Sequence, residues 1–369
     1  MRVLITGGAG FIGSHVADLL LANGYSVRLL DNLDPQVHTA GTAPDYLNPD
    51  AELVVGDVRD ADAVERALRN VDAVVHLAAA VGVGQSMYEI KSYTQVNELG
   101  TAVLLEALAR RPVAKLVCAS SMSIYGEGLA RRQNGEVVNP DERSLEQLRR
   151  GIWELQDEDG ADLQPLPTPE SKRPSLSSVY ALNKYAQERL CLIVGKAYGI
   201  PTIALRFFNV YGPRQALSNP YTGVLAIFAA RLLNGRPPLV FEDGRQRRDF
   251  VHVRDVARAC LLALESRTAS GGVFNVASGI SRSILSIADD LAAVMGRSSI
   301  TPHVTGKYRA GDIRHCFADI RESRTSLGFV PEVAFKQGLE ELAAWLADQV
   351  AVDRAEHATA ELESRGLVA

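Results

Sequence analysis

Short apolar runs alternate with helical patterns through the first half of this chain, and that alternation constrains the fold more than any other feature. The runs occupy residues 2–6, 27–31, 53–56, 73–77, 115–119 and 202–206. Each is near-continuously apolar, without the polar residue at every second position that marks a half-exposed strand. Strands of that kind have both faces covered, as in a parallel sheet lying between layers of helices. The helical stretches 11–22, 60–69 and 94–110 fall between the runs, and Val64 and Leu68 sit four residues apart on the face that would meet a sheet. Together they predict an α/β protein built on a doubly wound parallel sheet.

After residue 206 the rhythm changes. Strands at 239–242, 251–253 and 273–277 are short, loops lengthen, and helices are predicted at 223–234, 256–265, 285–295 and 335–349. This is the pattern of a smaller mixed α/β domain that holds something against the sheet. A chain of 369 residues accommodates two domains. The expected division is 1–205 for the sheet domain, 206–350 mainly for the second domain, and 351–369 for a polar tail, read as a solvated helix or frayed end. Residues 127–175 interrupt the first domain with little periodicity beyond a short helical stretch over 144–155. Long inserts are usually functional or disordered, and a cover over bound substrate is the expectation here.

Charge and composition exclude several classes. The formal net charge is −5, whereas a nucleic-acid binder carries excess Lys and Arg to neutralise phosphates. No apolar run approaches the ~20 residues that cross a bilayer, and residues 1–6 lead straight into a glycine motif with no signal-peptide pattern. Cys118, Cys191, Cys260 and Cys316 form no Cys-x-x-Cys pair, which reads as reduced thiols in a cytoplasmic protein. The histidines show no metal-ligand spacing, so no metal is expected, and His76 reads as a satisfied buried histidine.

The motif Gly7-Gly8-Ala9-Gly10-Phe11-Ile12-Gly13 follows the first strand and opens a helix. Glycines at 7, 10 and 13 permit a tight turn, close backbone approach to a pyrophosphate, and close helix–strand packing, while the helix N-terminus offers unpaired N–H groups. A glycine-rich turn alone also fits tight packing. Its place between strand and helix points to a Rossmann-type dinucleotide site. Asp31 ends the second strand 18 residues after Gly13, where a carboxylate meets ribose hydroxyls and repels a 2′-phosphate, favouring NAD over NADP. Asp57-Val58 and Leu77-Ala78-Ala79 follow the third and fourth strands, at the strand ends where such sheets bind ligands; tight packing accounts for the alanines equally well.

Tyr180 and Lys184 are four residues apart, so on a helix they share a face. A free phenol titrates near ~10, too high for a base at neutral pH. A neighbouring ammonium and a positive nicotinamide stabilise the phenolate, which can then take a proton from a sugar hydroxyl. Ser120 and Ser121 follow the fifth strand, where a hydroxyl can bind the reacting oxygen or simply satisfy backbone groups.

These residues, with Asn97 and Gly100, Ser120–Gly126, Arg206–Arg214, Arg248–Val253 and Arg309–Asp312, resemble the extended short-chain dehydrogenase/reductases that act on nucleotide sugars, over roughly residues 1–345. The resemblance implies Tyr180 as acid/base, Lys184 as its partner and Ser121 as the catalytic hydroxyl. NAD would contact Gly7, Gly10, Phe11, Ile12, Gly13, Asp31, Asn32, Asp57, Val58, Leu77, Ala78, Ala79 and Asn97, besides Tyr180 and Lys184. The substrate, a dTDP- or UDP-sugar, would contact Ser121, Ser123, Asn209, Phe241, Arg248, Arg309 and Asp312, with residues 222–224, including Val224, near the pyrimidine. Two arginines suit a diphosphate because each can grip it bidentately; Arg245 and Arg247 read as a solvated basic loop. A homodimer through helices 94–110 and 180–197 is implied as well.

Three reactions compete within that resemblance. Dehydratases of the family carry an Asp-Glu pair after the catalytic hydroxyl, where this chain has Met122 and Ser123; a thioether transfers no proton. Decarboxylation of a uronic acid stays open. A 4-epimerase needs only Tyr, Lys, Ser and NAD, all present, and proceeds through a transient 4-keto sugar. Residues 80–87 and 215–224 are similar to those of bacterial dTDP-L-rhamnose 4-epimerases. UDP-glucose and UDP-glucuronate are alternative substrates. A catalytically silent NAD-binding regulator is the alternative class, against which Ser121, Tyr180 and Lys184 speak.

Overall fold

The structure, a computed structural model, describes residues 1–38, 41–221 and 223–369. The apolar runs of the first half pair side by side as β1 (Arg2–Thr6), β2 (Ser26–Asp31), β3 (Glu52–Val55), β4 (Ala73–His76), β5 (Lys115–Ser121) and β6 (Thr202–Phe207), with β7 (Val273–Val276) completing a seven-stranded sheet. Every pairing is parallel, in the order β7-β6-β5-β4-β1-β2-β3. The order reverses between β1 and β4, which opens a crevice at the carboxyl ends of those strands.

Helices cover both faces, as the two-sided apolarity of the strands requires. On one face α1 (Phe11–Ala22) and α4 (Val253–Glu265) bury Val16, Leu20, Val256 and Cys260 against the sheet. On the other, α2 (Gly100–Arg110) and α3 (Val179–Ala197) bury Leu104, Leu108 and Cys191. The strand Arg247–His252 organises the second lobe, pairing with Asn209–Tyr211, Ser281–Ser283 and His315–Cys316. Helices Val224–Leu233, Ile284–Val294 and Phe335–Leu346 enclose a separate core around Phe228, Leu291 and Leu342.

Both α4 and β7 come from beyond residue 206 yet belong to the sheet layer. β7 covers the edge that β6 would otherwise leave unpaired. The sequence division at 205/206 therefore follows the chain but not the layers.

The 127–175 insert is ordered and does not cover the crevice. It forms short antiparallel strands at Ala130–Arg131, Val137–Val138 and Gln164–Pro165 and a helix at Leu145–Arg149. Ion pairs dock it on the second lobe: buried Arg143 to buried Glu242 at 2.8 Å, and half-buried Glu154 to buried Arg314 at 2.5 Å. Such pairs need partners on both sides, and this one spends its charges on the second lobe, away from the crevice.

The polar tail is also not a frayed end. Within it, α5 (Ala355–Ser364) buries Ala358 and Leu362. The polar residues that suggested solvation lie on its other face. All four cysteines are buried and free. Among the described residues no helix is long and apolar enough to cross a membrane.

Candidate active site

A cleft of about 700 Å³ lies between the carboxyl ends of the sheet and the second lobe. Its floor begins at the glycine turn. Gly7 has φ +68°, and a Cβ there would stand 2.9 Å from the Cα and N of Ala78, so only glycine lets the two strand ends approach. A Cβ at Gly13 would lie 2.3 Å from the Gly7 carbonyl oxygen, which fixes α1 against the turn. Gly10 has only that oxygen near its Cβ position, at 3.4 Å, and caps α1 without any side chain. Gly10, Phe11 and Ile12 line the cleft. An uncapped helix N-terminus open to a cleft suits a pyrophosphate, so these residues fit a dinucleotide.

Asp31 stands at the end of β2, where its carboxylate accepts hydrogen bonds from the Ala9 N–H at 3.0 Å and the Leu33 N–H at 2.9 Å. Each oxygen keeps a lone pair for a ribose hydroxyl. Asn32 donates to Asp57 at 3.2 Å, and Arg59 clamps Asp57, holding its carboxyl below the usual range. Val58, Leu77, Ala78 and Ala79 line the same wall. Asn97 does not. It sits buried on a π turn (Gln95–Leu99) and holds the Ala80 backbone at both ends, accepting from its N–H at 2.7 Å and donating to its carbonyl at 3.1 Å. Asn97 thus shapes the cofactor wall from behind. Gly100 serves the same packing, since a Cβ there would fall 2.5 Å from Val58 Cγ1.

At the centre, Ser121 and Tyr180 meet. Ser178 caps α3, its Oγ accepting from the Ala181 N–H at 3.1 Å, so the helix starts at the cleft and Tyr180 falls in its first turn. The Tyr180 side chain lines the cleft beside Ser121. Burial pushes the phenol up to about 12, and the neighbouring Ser121 hydroxyl pulls the other way. The Ser121 hydroxyl also receives Ser123 Oγ at 2.9 Å. Ser120 turns away from the cleft and donates to Glu188 at 2.6 Å. Lys184, four residues along α3, donates to the Ala119 carbonyl at 2.6 Å and to Gln187. Two of its three N–H bonds are so fixed, and burial draws its pKa down. His76 is wholly buried within reach of Thr6 at 2.7 Å and Thr101 at 2.9 Å, and burial lowers it to about 3, so it stays neutral and outside the chemistry.

The second lobe supplies the far wall. Arg248 donates to the carbonyls of Arg314, at 3.1 Å, and Ile313, and its charge lies 3.6 Å from Asp312. Arg309 stacks on Phe241 with its guanidinium carbon 4.6 Å from the ring centre. Its Nε is buried with no hydrogen-bond partner among the described residues. Asn209 donates to the Asp249 carbonyl at 3.0 Å and to the Met122 sulfur at 3.5 Å. Val224 and Asp312 line the cleft too, while Thr222 lies outside the described residues. Among the described residues no group of His, Cys, Asp or Glu is placed to hold a metal.

The sequence reading missed two groups. Glu188 continues the four-residue spacing of Tyr180 and Lys184 along α3, and that spacing was the available signal. Ala355, Ala358, Thr359, Leu362 and Leu367 of the tail form an outer wall of the cleft; five small or apolar positions in a polar stretch gave little warning.

A family model described as the NAD dependent epimerase/dehydratase family matches residues 3–145 and 159–277. The chain is 36% identical over 353 residues to the dTDP-L-rhamnose 4-epimerase of Burkholderia thailandensis, covering 95% of this chain and 96% of that protein. A Thermus thermophilus UDP-glucose 4-epimerase solved with NAD superposes with a TM-score of 0.74 at 33% identity, covering 95% of this chain and 100% of the other. A Thermotoga maritima UDP-glucose 4-epimerase solved with UDP-glucose gives 0.76 at 31% identity, covering 94% and 99%.

Proposed function

The chain belongs to the NAD-dependent epimerase/dehydratase family and is an NAD-dependent nucleotide-sugar epimerase; from that premise we propose that it inverts C4 of a neutral nucleoside-diphosphate hexose, with dTDP-L-rhamnose the leading candidate. In this reading residues 1–205 carry most of the NAD site and residues 206–350 most of the sugar-nucleotide site. NAD, when bound, would supply the redox chemistry at C4, as acceptor and then donor of a hydride.

The chain's own groups do the rest. Tyr180 Oη takes the proton of the C4 hydroxyl and later gives it back. Its phenol is otherwise held near 12, so a cationic neighbour must lower it, and the free N–H of Lys184 together with the nicotinamide charge provides one. Ser121 Oγ holds the same substrate oxygen in line with the phenol. Arg248 and Arg309 neutralise the diphosphate, and Phe241 lies beside the nucleobase.

The meeting of Ser121 and Tyr180 inside the cleft, with Met122 and Ser123 beside them, carries this reading. The pair serves oxidation at C4, and a thioether cannot protonate a leaving hydroxyl, so elimination lacks its acid. Charge supports a neutral sugar. Among the described residues, the Lys and Arg side chains lining the cleft are Lys184, Arg248 and Arg309. Once the phenolate and the diphosphate are served, none is left for a uronate carboxylate. Exposed Leu99, Leu182 and Ile193, on and beside α2 and α3, support a homodimer through those helices; light scattering of Leu182→Lys reporting a monomer is the expected outcome.

The test is proton NMR of dTDP-L-rhamnose, UDP-glucose and UDP-glucuronic acid, each incubated with the enzyme. A product of unchanged mass with inverted H4 couplings from dTDP-L-rhamnose is expected. Loss of water or carbon dioxide from any of the three refutes 4-epimerisation.

A further inference from the structure

The 355–369 segment closes the cleft at the place where the second lobe presents Arg309. Residues 367–369 pair antiparallel with the strip that carries this arginine. The Tyr308 N–H donates to the Ala369 carbonyl at 2.8 Å, the Ala369 N–H to the Tyr308 carbonyl at 3.1 Å, and the Ala310 N–H to the Leu367 carbonyl at 3.3 Å. Arg309 faces Val368, which is buried. The same segment is held elsewhere. Asp353, at its root, is buried against Arg231 at 3.3 Å, and Lys307 pairs with Glu363 at 2.5 Å. On the opposite rim, Leu362 lies against Gly84, where an added Cβ would come within 3.2 Å of its Cδ1, and Arg365 stacks 4.3 Å above Tyr88.

The loop is also held at its flanks, where the Lys307 carbonyl accepts the Glu242 N–H at 2.7 Å and the Asp312 carbonyl accepts Arg143 at 2.9 Å, while residues 308–310 between them pair with the tail. The Arg309 guanidinium leans on Phe241, its Nε has no partner among the described residues, and the loop around it contains glycine at 306 and 311. A loop so punctuated would sample many positions if left unpaired. Backbone pairing removes that freedom before any ligand arrives, and preorganised groups bind more tightly because less order is lost on binding.

We propose that residues 353–369 are a strap across the sugar-nucleotide cleft, which positions Arg309 for the diphosphate through the Arg309–Val368 pairing and walls the cleft through Leu362. This rests on the nucleotide-sugar reading above. Arg309 contacts the ligand; the strap acts through it and is a positioning element.

The test is calorimetric binding of thymidine diphosphate to the NAD-loaded protein. A chain ending at Leu367 keeps α5 and the cleft wall and loses Val368 and Ala369, the residues paired with Arg309 and Tyr308. It is expected to bind about tenfold more weakly, the scale of one charge-assisted hydrogen bond. In an Arg309→Ala background the same shortening is expected to change affinity little, because the group it positions is gone. A merely structural tail gives additive losses, which would overturn the proposal, as would unchanged affinity in the shortened chain. Gly84→Ala crowds Leu362 without touching the ladder. It is expected to weaken binding and to be partly rescued by Leu362→Ala; failure of rescue refutes the wall. Should the full chain bind neither thymidine nor uridine diphosphate, the nucleotide-sugar reading itself falls, and the strap with it.

Discussion

Arg206 grips Glu188 with two hydrogen bonds, 2.9 Å from Nε and 2.7 Å from Nη2, in the buried layer beneath Ser121. Glu188 also receives the Ser120 hydroxyl, and Arg206 reaches Tyr125 at 2.9 Å. The pair thus ties α3, which bears Tyr180 and Lys184, to β5, which bears Ser121. Removing the cation leaves a buried carboxylate uncompensated. Arg206→Met is expected to cost about 3–5 kcal/mol in denaturant unfolding. A loss below ~1 kcal/mol would show that the pair is not needed to hold the site together.

Tyr180→Phe keeps the ring and removes the proton carrier. Turnover is expected to fall by about 10²–10⁴-fold while bound NAD is retained, since acid–base groups contribute on that scale. Quenched-flow turnover with NAD quantified after denaturation checks both halves of the statement.

Asp31 is the carboxylate that would meet the adenosine ribose. Asp31→Asn is expected to weaken NAD binding about tenfold and to narrow the gap between NAD and NADP, because an anionic acceptor is lost together with its repulsion of a 2′-phosphate. Equal discrimination in the variant and the parent, measured by equilibrium dialysis, would remove Asp31 from that role.

Glu154 anchors the insert. His315 donates to it at 2.7 Å; the other ring nitrogen of His315 accepts the Arg247 N–H at 3.1 Å, so a neutral imidazole makes the bond. The His315 hydrogen bond and then Arg314 hold the Glu154 carboxyl at about 2, below its ordinary 4.5. A depressed carboxyl stabilises the fold fully above its unfolded pKa and loses that contribution as pH falls through the folded one. Glu154→Gln is therefore expected to melt earlier than the parent at neutral pH, with the gap closing as pH drops from about 4.5 toward about 2. A gap independent of pH would assign the effect to packing.

Much of this was legible in the sequence, for identifiable reasons. β1, β2, β4, β5 and β6 came out within two residues at either end because continuous apolar runs and the glycine turn are local signals. Ser121, Tyr180 and Lys184 meet because a strand end and a four-residue helical spacing fix their directions in advance. Asn97 belongs to the same set of resembling motifs, but its side chain faces Ala80 rather than the cleft, and only the π turn decides that. Helices in the insert and the tail were legible, but their docking was not, because the partners Glu242, Arg314 and Tyr308 lie far away in the chain. Composition reports that such residues are polar, not whom they meet.

The return of α4 and β7 to the sheet has a mechanical consequence. The chain passes from sheet to second lobe after Phe207, comes back at Val253, and leaves again after Val276. At least three crossings tether the two walls of the cleft, so they cannot swing apart about a single hinge as two beads on one linker do. Ligands must enter through movement of the rim alone, and a cut near residue 206 would not release two self-sufficient halves. Heating should accordingly produce one melting transition for sheet and second lobe together.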